Sequence, residues 1–254
     1  MAASSRKLDI VVVGASGDLA RKKIFPALFS LYSQGLLPDE TVNIYGFARS
    51  EMTDSQFRER ISEHLLCRYV PGEHCESRQK SFLNQCRYVC GSYDSRDSFL
   101  DLFSAMNADE PEAGGANRLF FLAIPPSVFF DVADALGGAG LVHCGSDEPW
   151  SRVVVEKPFG KDRASSDELV RNLRKVFSEQ HTFRIDHYLG KEAIQNLMVL
   201  RFANAVFEPL WCGKYIESVD LVWKEDFGEF IEEAGRDFKR CMDKIIVSAS
   251  GEFG

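Results

Sequence analysis

Gly14 and Gly17 enclose Ala15 and Ser16 directly after the apolar run 8–13, and Asp18, Leu19 and Ala20 then open a helical pattern. A strand, a glycine turn and a helix N-terminus present backbone N–H groups to a pyrophosphate, with glycine allowing close approach of the ligand. The spacing departs from GxGxxG, so two glycines alone would serve an ordinary strand-to-helix turn equally well. Arg49 narrows the choice. It follows Gly46-Phe47-Ala48 at the end of the next apolar run, 42–47, with Ser50 beside it and Glu51 beyond the strand end. A site for an unphosphorylated ribose usually offers a carboxylate there, whereas arginine suits an added 2′-phosphate. The expected cofactor is therefore NADP, held by Gly14, Ala15, Ser16, Gly17, Asp18, Leu19 and Arg49.

Two further tracts carry polar chemistry. Lys157, in Glu156-Lys157-Pro158-Phe159-Gly160, follows an apolar strand and so stands at the carboxyl end of the sheet, where ligands bind in open α/β folds. There it serves either as a donor to a sugar hydroxyl and the cofactor together, or as an ordinary strand-end lysine. In Arg184-Ile185-Asp186-His187-Tyr188-Leu189-Gly190-Lys191-Glu192, Asp186 is a candidate cap, and His187 and Lys191 share a helix face at i and i+4 beside the Tyr188 hydroxyl. Three donors near a helix N-terminus suit a phosphate monoester. His64, Cys67, His74 and Cys75 match no standard zinc spacing, and no metal is assigned.

The elements that must position these groups alternate in type. Strand patterns over 8–13, 42–47, 87–90, 118–124 and 152–155 are separated by helical patterns over 19–32, 53–66, 95–106, 128–136 and 165–177. Such alternation predicts a Rossmann-like, doubly wound parallel sheet. From His187 to about Asn204 one long amphipathic pattern follows, then a strand over 216–223. We divide the chain into a cofactor domain over 1–183, the start of an α+β, antiparallel second domain over 184–228, and a tail over 229–254.

Composition bounds the partners. The 254 residues are 45% hydrophobic and 27% charged, which suffices for a globular core, and the net charge of −8 offers no broad positive field to nucleic acid. No apolar run approaches the ~20 residues of a membrane helix, and Lys7 and Asp9 flank the first apolar run too closely for a signal peptide. The cysteines, Cys67, Cys75, Cys86, Cys90, Cys144, Cys212 and Cys241, form no CxxC pair and are expected to be reduced thiols of a cytoplasmic protein.

The tracts Gly14 to Ala20, Glu156 to Gly160, Arg184 to Glu192, Asn196 to Asn204, Phe207 to Trp211 and Trp223 to Gly228 together resemble the glucose-6-phosphate dehydrogenase family, in order and spacing. The resemblance covers nearly everything up to Gly228. It implies NADP-dependent oxidation of D-glucose 6-phosphate to 6-phospho-D-glucono-1,5-lactone, the first step of the oxidative pentose phosphate pathway. Lys157 would assist by touching cofactor and sugar, with Pro158 closing its turn. His187, Tyr188 and Lys191 would hold substrate, the phosphate nearest His187 and Tyr188, and Glu225 would bind a sugar hydroxyl.

Removing hydride from an alcohol also requires a base for the hydroxyl proton. In the family this is a histidine oriented by an aspartate, in an Arg-Asp-x-x-x-Asn-His type segment. Here Gly228 leads instead into Glu229-Phe230-Ile231-Glu232-Glu233-Ala234, and no histidine follows His187. No catalytic base is identified. The family is also homo-oligomeric through its second domain, of which this chain would carry only the opening helix and strand, leaving the strand over 216–223 with an unpaired edge. The alternative function is a catalytically silent fragment that binds NADP or associates with another subunit.

Overall fold

The computed structural model describes residues 6–37, 41–66, 75–108, 115–142, 149–156, 163–185, 192–211, 214–216, 219–223 and 245–249. The chain divides into two compact units, Met1–Asp186 and His187–Gly254.

The first unit is built on β1 (Leu8–Val13), β2 (Val42–Ala48), β3 (Cys86–Cys90), β4 (Asn117–Leu122), β5 (Ser151–Glu156) and β6 (Thr182–Ile185). These form one sheet in the order β3-β2-β1-β4-β5-β6, with every neighbouring pair parallel. Strand order reverses between β1 and β4, which opens a crevice at their carboxyl ends. The expected doubly wound parallel sheet is therefore present.

Side chains of β1 alternate between two cores, as the two-residue period of a strand requires. Ile10 and Val12 pack with Phe25, Phe29, Phe57 and Phe82, from α1 (Phe25–Ser33), α2 (Asp54–Ser62) and α3 (Cys75–Asn84). Val11 and Val13 pack on the other face with Phe99, Leu102, Phe129, Val132 and Leu173, from α4 (Arg96–Ala108), α5 (Phe129–Gly138) and α6 (Arg163–Leu173). Being enclosed on both sides, β1 reads as a nearly continuous apolar run.

Local chemistry sets the helix ends. A π-helical turn, Ala20–Ile24, leads into α1, which carries Pro26 in its first turn, where proline is tolerated. Gly35, at φ +70°, reverses the chain after α1, and its N–H donates to the Tyr32 carbonyl. At α2, Thr53 and Gln56 form a reciprocal capping box.

In the first unit, α3 and β6 were absent from the sequence expectation. Of the apolar side chains on α3 only Phe82 is buried, so its apolar period is faint. The strand β6 has four residues, none of them buried, and adds an edge to β5. Cys86 and Cys90 are free thiols, as expected, but Cys75 is disulfide-bonded. Linear spacing does not report which Cβ atoms approach closely enough to bond.

The second unit contains α7 (Glu192–Phe202) and the strands β7 (Val219–Trp223) and β8 (Ile245–Ala249), paired antiparallel. Two expectations are corrected here. The strand β7, expected to lack a partner, pairs along one edge with β8 from the tail, and its other edge has no partner strand among the described residues. The helix is not cleanly amphipathic, because Leu197, Met198, Val199 and Leu200 are consecutive and all exposed. Among the described residues this unit holds a helix and a two-stranded ribbon rather than a domain-sized antiparallel sheet. Two strands alone bury too little surface to form a core of their own.

Candidate cofactor site

The chain leaves β1 at the reversal point of the sheet. Gly14 takes φ +90°, and its N–H donates to the Phe47 carbonyl at 2.8 Å, with a longer bond of 3.3 Å from the Ala15 N–H to the same oxygen. On the other side the Ala123 N–H donates to the Val13 carbonyl at 2.8 Å. The turn is thus pinned by both neighbouring strands. A Cβ on residue 14 would lie 2.2 Å from the Ala123 carbonyl oxygen, so glycine is required on both conformational and steric grounds. The Gly17 N–H then closes back on the Gly14 carbonyl at 2.9 Å, and the Arg21 N–H bonds the Gly17 carbonyl at 3.1 Å as the helix begins.

Asp18 is exposed and accepts hydrogen bonds from Lys22 at 3.0 Å and Arg21 at 2.7 Å. The Lys22 bond does most to hold its carboxyl below the usual carboxylate range, aided by Arg21 and opposed by partial burial. Leu19 is half-buried against the core that contains Phe25 and Phe57.

The end of β2 meets this turn. Ser50 donates through Oγ to Ser16 Oγ at 3.3 Å, so the hydroxyl after Arg49 reaches the hydroxyl inside the glycine turn. Arg49 is exposed and makes no ion pair among the described residues, and its guanidinium carbon lies 5.2 Å from the centre of the Tyr93 ring. Tyr88 donates to the Ser50 carbonyl, and burial pushes its hydroxyl up to about 12. From α2, Arg60 donates through Nη2 to the Ser16 carbonyl at 3.0 Å. Gly46 makes the approach of α2 possible, since a Cβ there would fall 2.6 Å from Phe57 Cζ and 2.9 Å from Ala15 Cβ.

Tyr88, Tyr93 and Arg60 were not among the expected site residues. For Arg60 a signal existed: Phe57, Arg60 and Ile61 recur at i, i+3 and i+4, placing a cation within the apolar stripe of an otherwise polar helix. Tyr93 carried none, because it reaches Arg49 through the adjacency of β2 and β3.

Lys157, His187, Tyr188, Lys191 and Glu225 lie outside the described residues, as do Pro158 and Asp186. The strands that lead to them are described. Glu156 closes β5, is buried, and is paired in register with Ile185, the last residue of β6. The described ends of β5 and β6 therefore lie side by side at the carboxyl edge of the sheet, the edge from which β1 leads into the glycine turn. Among the described residues no group of three His, Cys, Asp or Glu is placed to hold a metal ion, and no helix is long and apolar enough to cross a membrane.

Comparison with known proteins bears on this arrangement. The family profile described as "Glucose-6-phosphate dehydrogenase, NAD binding domain" matches residues 11–196. Chloroplastic glucose-6-phosphate 1-dehydrogenase 1 of Arabidopsis thaliana is 48% identical over 222 residues, which is 87% of this chain and 37% of that protein. The enzyme of Dictyostelium discoideum is 50% identical over 224 residues, 87% of this chain and 43% of that one. Among solved structures, glucose-6-phosphate dehydrogenase in complex with its substrate glucose-6-phosphate aligns with a TM-score of 0.75 and 38% identity, over 90% of this chain and 46% of that chain. The enzyme from Mycobacterium avium aligns with a TM-score of 0.64 and 30% identity, over 89% and 46% of the two chains. The chain thus spans less than half the length of these relatives. With the profile matched across most of its residues and the same fold at substantial identity, this chain belongs to the glucose-6-phosphate dehydrogenase family.

Proposed function

We propose that this chain is an NADP-binding polypeptide of the glucose-6-phosphate dehydrogenase family and that, as these 254 residues, it does not turn over substrate. The observation that carries the first half is the contact between Ser16 and Ser50, which joins the glycine turn to the end of β2 beside Arg49. Two hydroxyls and an arginine that makes no ion pair among the described residues suit a phosphate on the adenosine ribose, where a site for NAD would offer an acid. Glu51 is exposed and lies beyond β2. A pyrophosphate suits the turn itself, which leaves Gly17 exposed and leads directly into a helical start.

When bound, the nicotinamide would accept hydride from C1 of glucose 6-phosphate. In that reading Lys157 donates to sugar and cofactor, His187, Tyr188 and Lys191 hold the substrate phosphate and sugar, and Glu225 accepts from a hydroxyl. The missing role is the base. No histidine follows His187 in the sequence, and His187 is assigned to the phosphate, so no histidine is left for the reacting hydroxyl proton. The exposed apolar residues of α7 also support association with a full-length relative, in place of the family's own homo-oligomeric contact. A cytoplasmic location agrees with the free thiols of Cys86 and Cys90 and conflicts with the disulfide at Cys75, and fractionation decides between them.

Calorimetric titration of the purified chain with NADP⁺ and NAD⁺ tests the cofactor, and equal affinities would overturn it. NADPH formation with glucose 6-phosphate, followed by near-ultraviolet absorbance, tests turnover. A substrate-dependent rate that survives His187→Ala would show that a base has been overlooked. Co-purification with full-length enzyme tests the association, which a chain that stays monomeric in such a mixture would exclude.

A further inference from the structure

Arg58, Arg60 and Arg21 are three guanidinium groups on neighbouring helical segments, with different partners. Arg58 pairs with Asp54 at 3.6 Å and donates through Nε to the Cys86 carbonyl at 2.8 Å. Arg21 pairs with Asp18 at 2.7 Å and with Glu63 at 3.8 Å. Arg60 makes no ion pair among the described residues. Its Nη2 holds the Ser16 carbonyl at 3.0 Å, while its Nε is enclosed and meets no acceptor. A half-buried guanidinium without a carboxylate is costly to keep, and an anionic ligand relieves that cost.

The surroundings say where that ligand would sit. Ser16, whose carbonyl Arg60 grips, presents its hydroxyl to Ser50, the residue after Arg49. The charge of Arg60 is also felt at the Tyr88 hydroxyl, which bonds the Ser50 carbonyl. Arg60 therefore borders the end of β2 from the side of α2, while Arg49 borders it from the side of Tyr93.

We infer that Arg60 is a second determinant of selection for a phosphorylated adenosine ribose: it fixes Ser16 in place and supplies positive charge at the phosphate position that Arg49 also serves. This rests on the NADP reading above and goes beyond it by assigning the selectivity to two arginines on different elements. Arg60 acts partly through Ser16 and is to that extent a positioning residue.

The test uses the full chain with adenosine 2′,5′-bisphosphate and with AMP, which differ only in the 2′-phosphate. The unmodified chain is expected to prefer the bisphosphate. Arg60→Gln, which keeps a donor for Ser16 but loses the charge, should weaken the bisphosphate about tenfold and leave AMP unchanged, in line with loss of one charge-assisted contact. Arg60→Lys should retain most of the preference, and the salt dependence of bisphosphate binding should become shallower in Arg60→Gln but not in Arg60→Lys. Thermal unfolding identifies any variant that fails to fold, and the Gln and Lys pair then decides without Arg60→Ala.

Equal losses for both ligands, or no loss for either, would overturn the inference and leave Arg60 as a strut beneath the turn. A preference that survives Arg60→Gln but disappears in Arg49→Ala would remove the inference alone. An unmodified chain that binds both ligands alike would remove the NADP reading together with it.

Discussion

Gly14 and Ala123 approach so closely that a Cβ on residue 14 would lie 2.2 Å from the Ala123 carbonyl oxygen. This proximity follows from β1 lying between β2 and β4, so that the turn leaving β1 passes the end of β4. Gly14→Ala must therefore relieve a backbone clash as well as φ +90°. The expected cost is roughly 3 kcal/mol or more, combining positive-φ strain with overpacking. Denaturant unfolding measures it, and a midpoint within error of the unmodified chain would show that the turn relaxes freely.

Arg49→Ala should lower NADP⁺ affinity about tenfold, equivalent to ~1.4 kcal/mol, while NAD⁺ affinity stays near its starting value. Calorimetry with both dinucleotides reads the ratio. A parallel fall for the two would mean that Arg49 supports the site by stacking on Tyr93 rather than by meeting a phosphate.

Phe57 and Thr53 separate packing from capping on α2. Phe57 is fully buried, with its ring centre 5.3 Å from that of Phe25 and 5.1 Å from that of Tyr88. Phe57→Ala should cost about 3–5 kcal/mol, as large-to-small core changes do. Thr53→Ala removes the side-chain half of the capping box and should cost about 1 kcal/mol. Chemical denaturation of the pair should preserve that order; the reverse would mean that α2 is held by its first turn and not by its aromatic face.

Asp18 links stability to acid. Its pKa in the folded chain lies below the ordinary 3.8, so its contribution is fully present above that value and is lost as pH falls from there through the folded pKa. Asp18→Asn should be the less stable form near neutrality, with the difference closing in strong acid. Because the carboxyl is 44% exposed, the effect at neutrality should be small. A difference that widened as pH fell below 3.8 would contradict the assigned direction.

Among the described residues, the free thiols Cys86 and Cys90 should differ sharply. Burial raises the Cys86 pKa far above that of an ordinary thiol, whereas Cys90 is exposed. Thiolate is the reactive species, so brief alkylation of the native chain should label Cys90 and spare Cys86. Mass spectrometry of the peptides identifies the labelled residue, and rapid labelling of Cys86 would indicate that the core around Phe82 opens readily.

Much of the first unit is legible in the order of its residues. Apolar runs ending in Gly14, Arg49 and the Pro125-Pro126 pair mark β1, β2 and β4, because strands buried on both faces carry little but apolar residues. The elements that escape such a reading are those with weak burial, namely α3 with Phe82 as its anchor and the four-residue edge strand β6. The pairing of β7 with β8 is hidden for another reason: strands 219–223 and 245–249 are distant in sequence, and the tail resembles nothing in the family that would predict the partnership.

For the cofactor site, the sequence determined which groups exist: a glycine turn after a buried strand, an arginine and a serine after the next, and no histidine beyond His187. Those are properties of residue type and local order, and local order suffices where backbone conformation and strand position set the chemistry. The tertiary structure alone decided which groups meet. Ser16 touches Ser50, Arg49 lies over Tyr93, and Arg60 holds the Ser16 carbonyl, because parallel pairing sets the ends of β1, β2 and β3 side by side while the glycine at position 46 lets α2 pack against them. Contacts of that kind depend on strand order and helix approach, which no spacing along a single chain encodes.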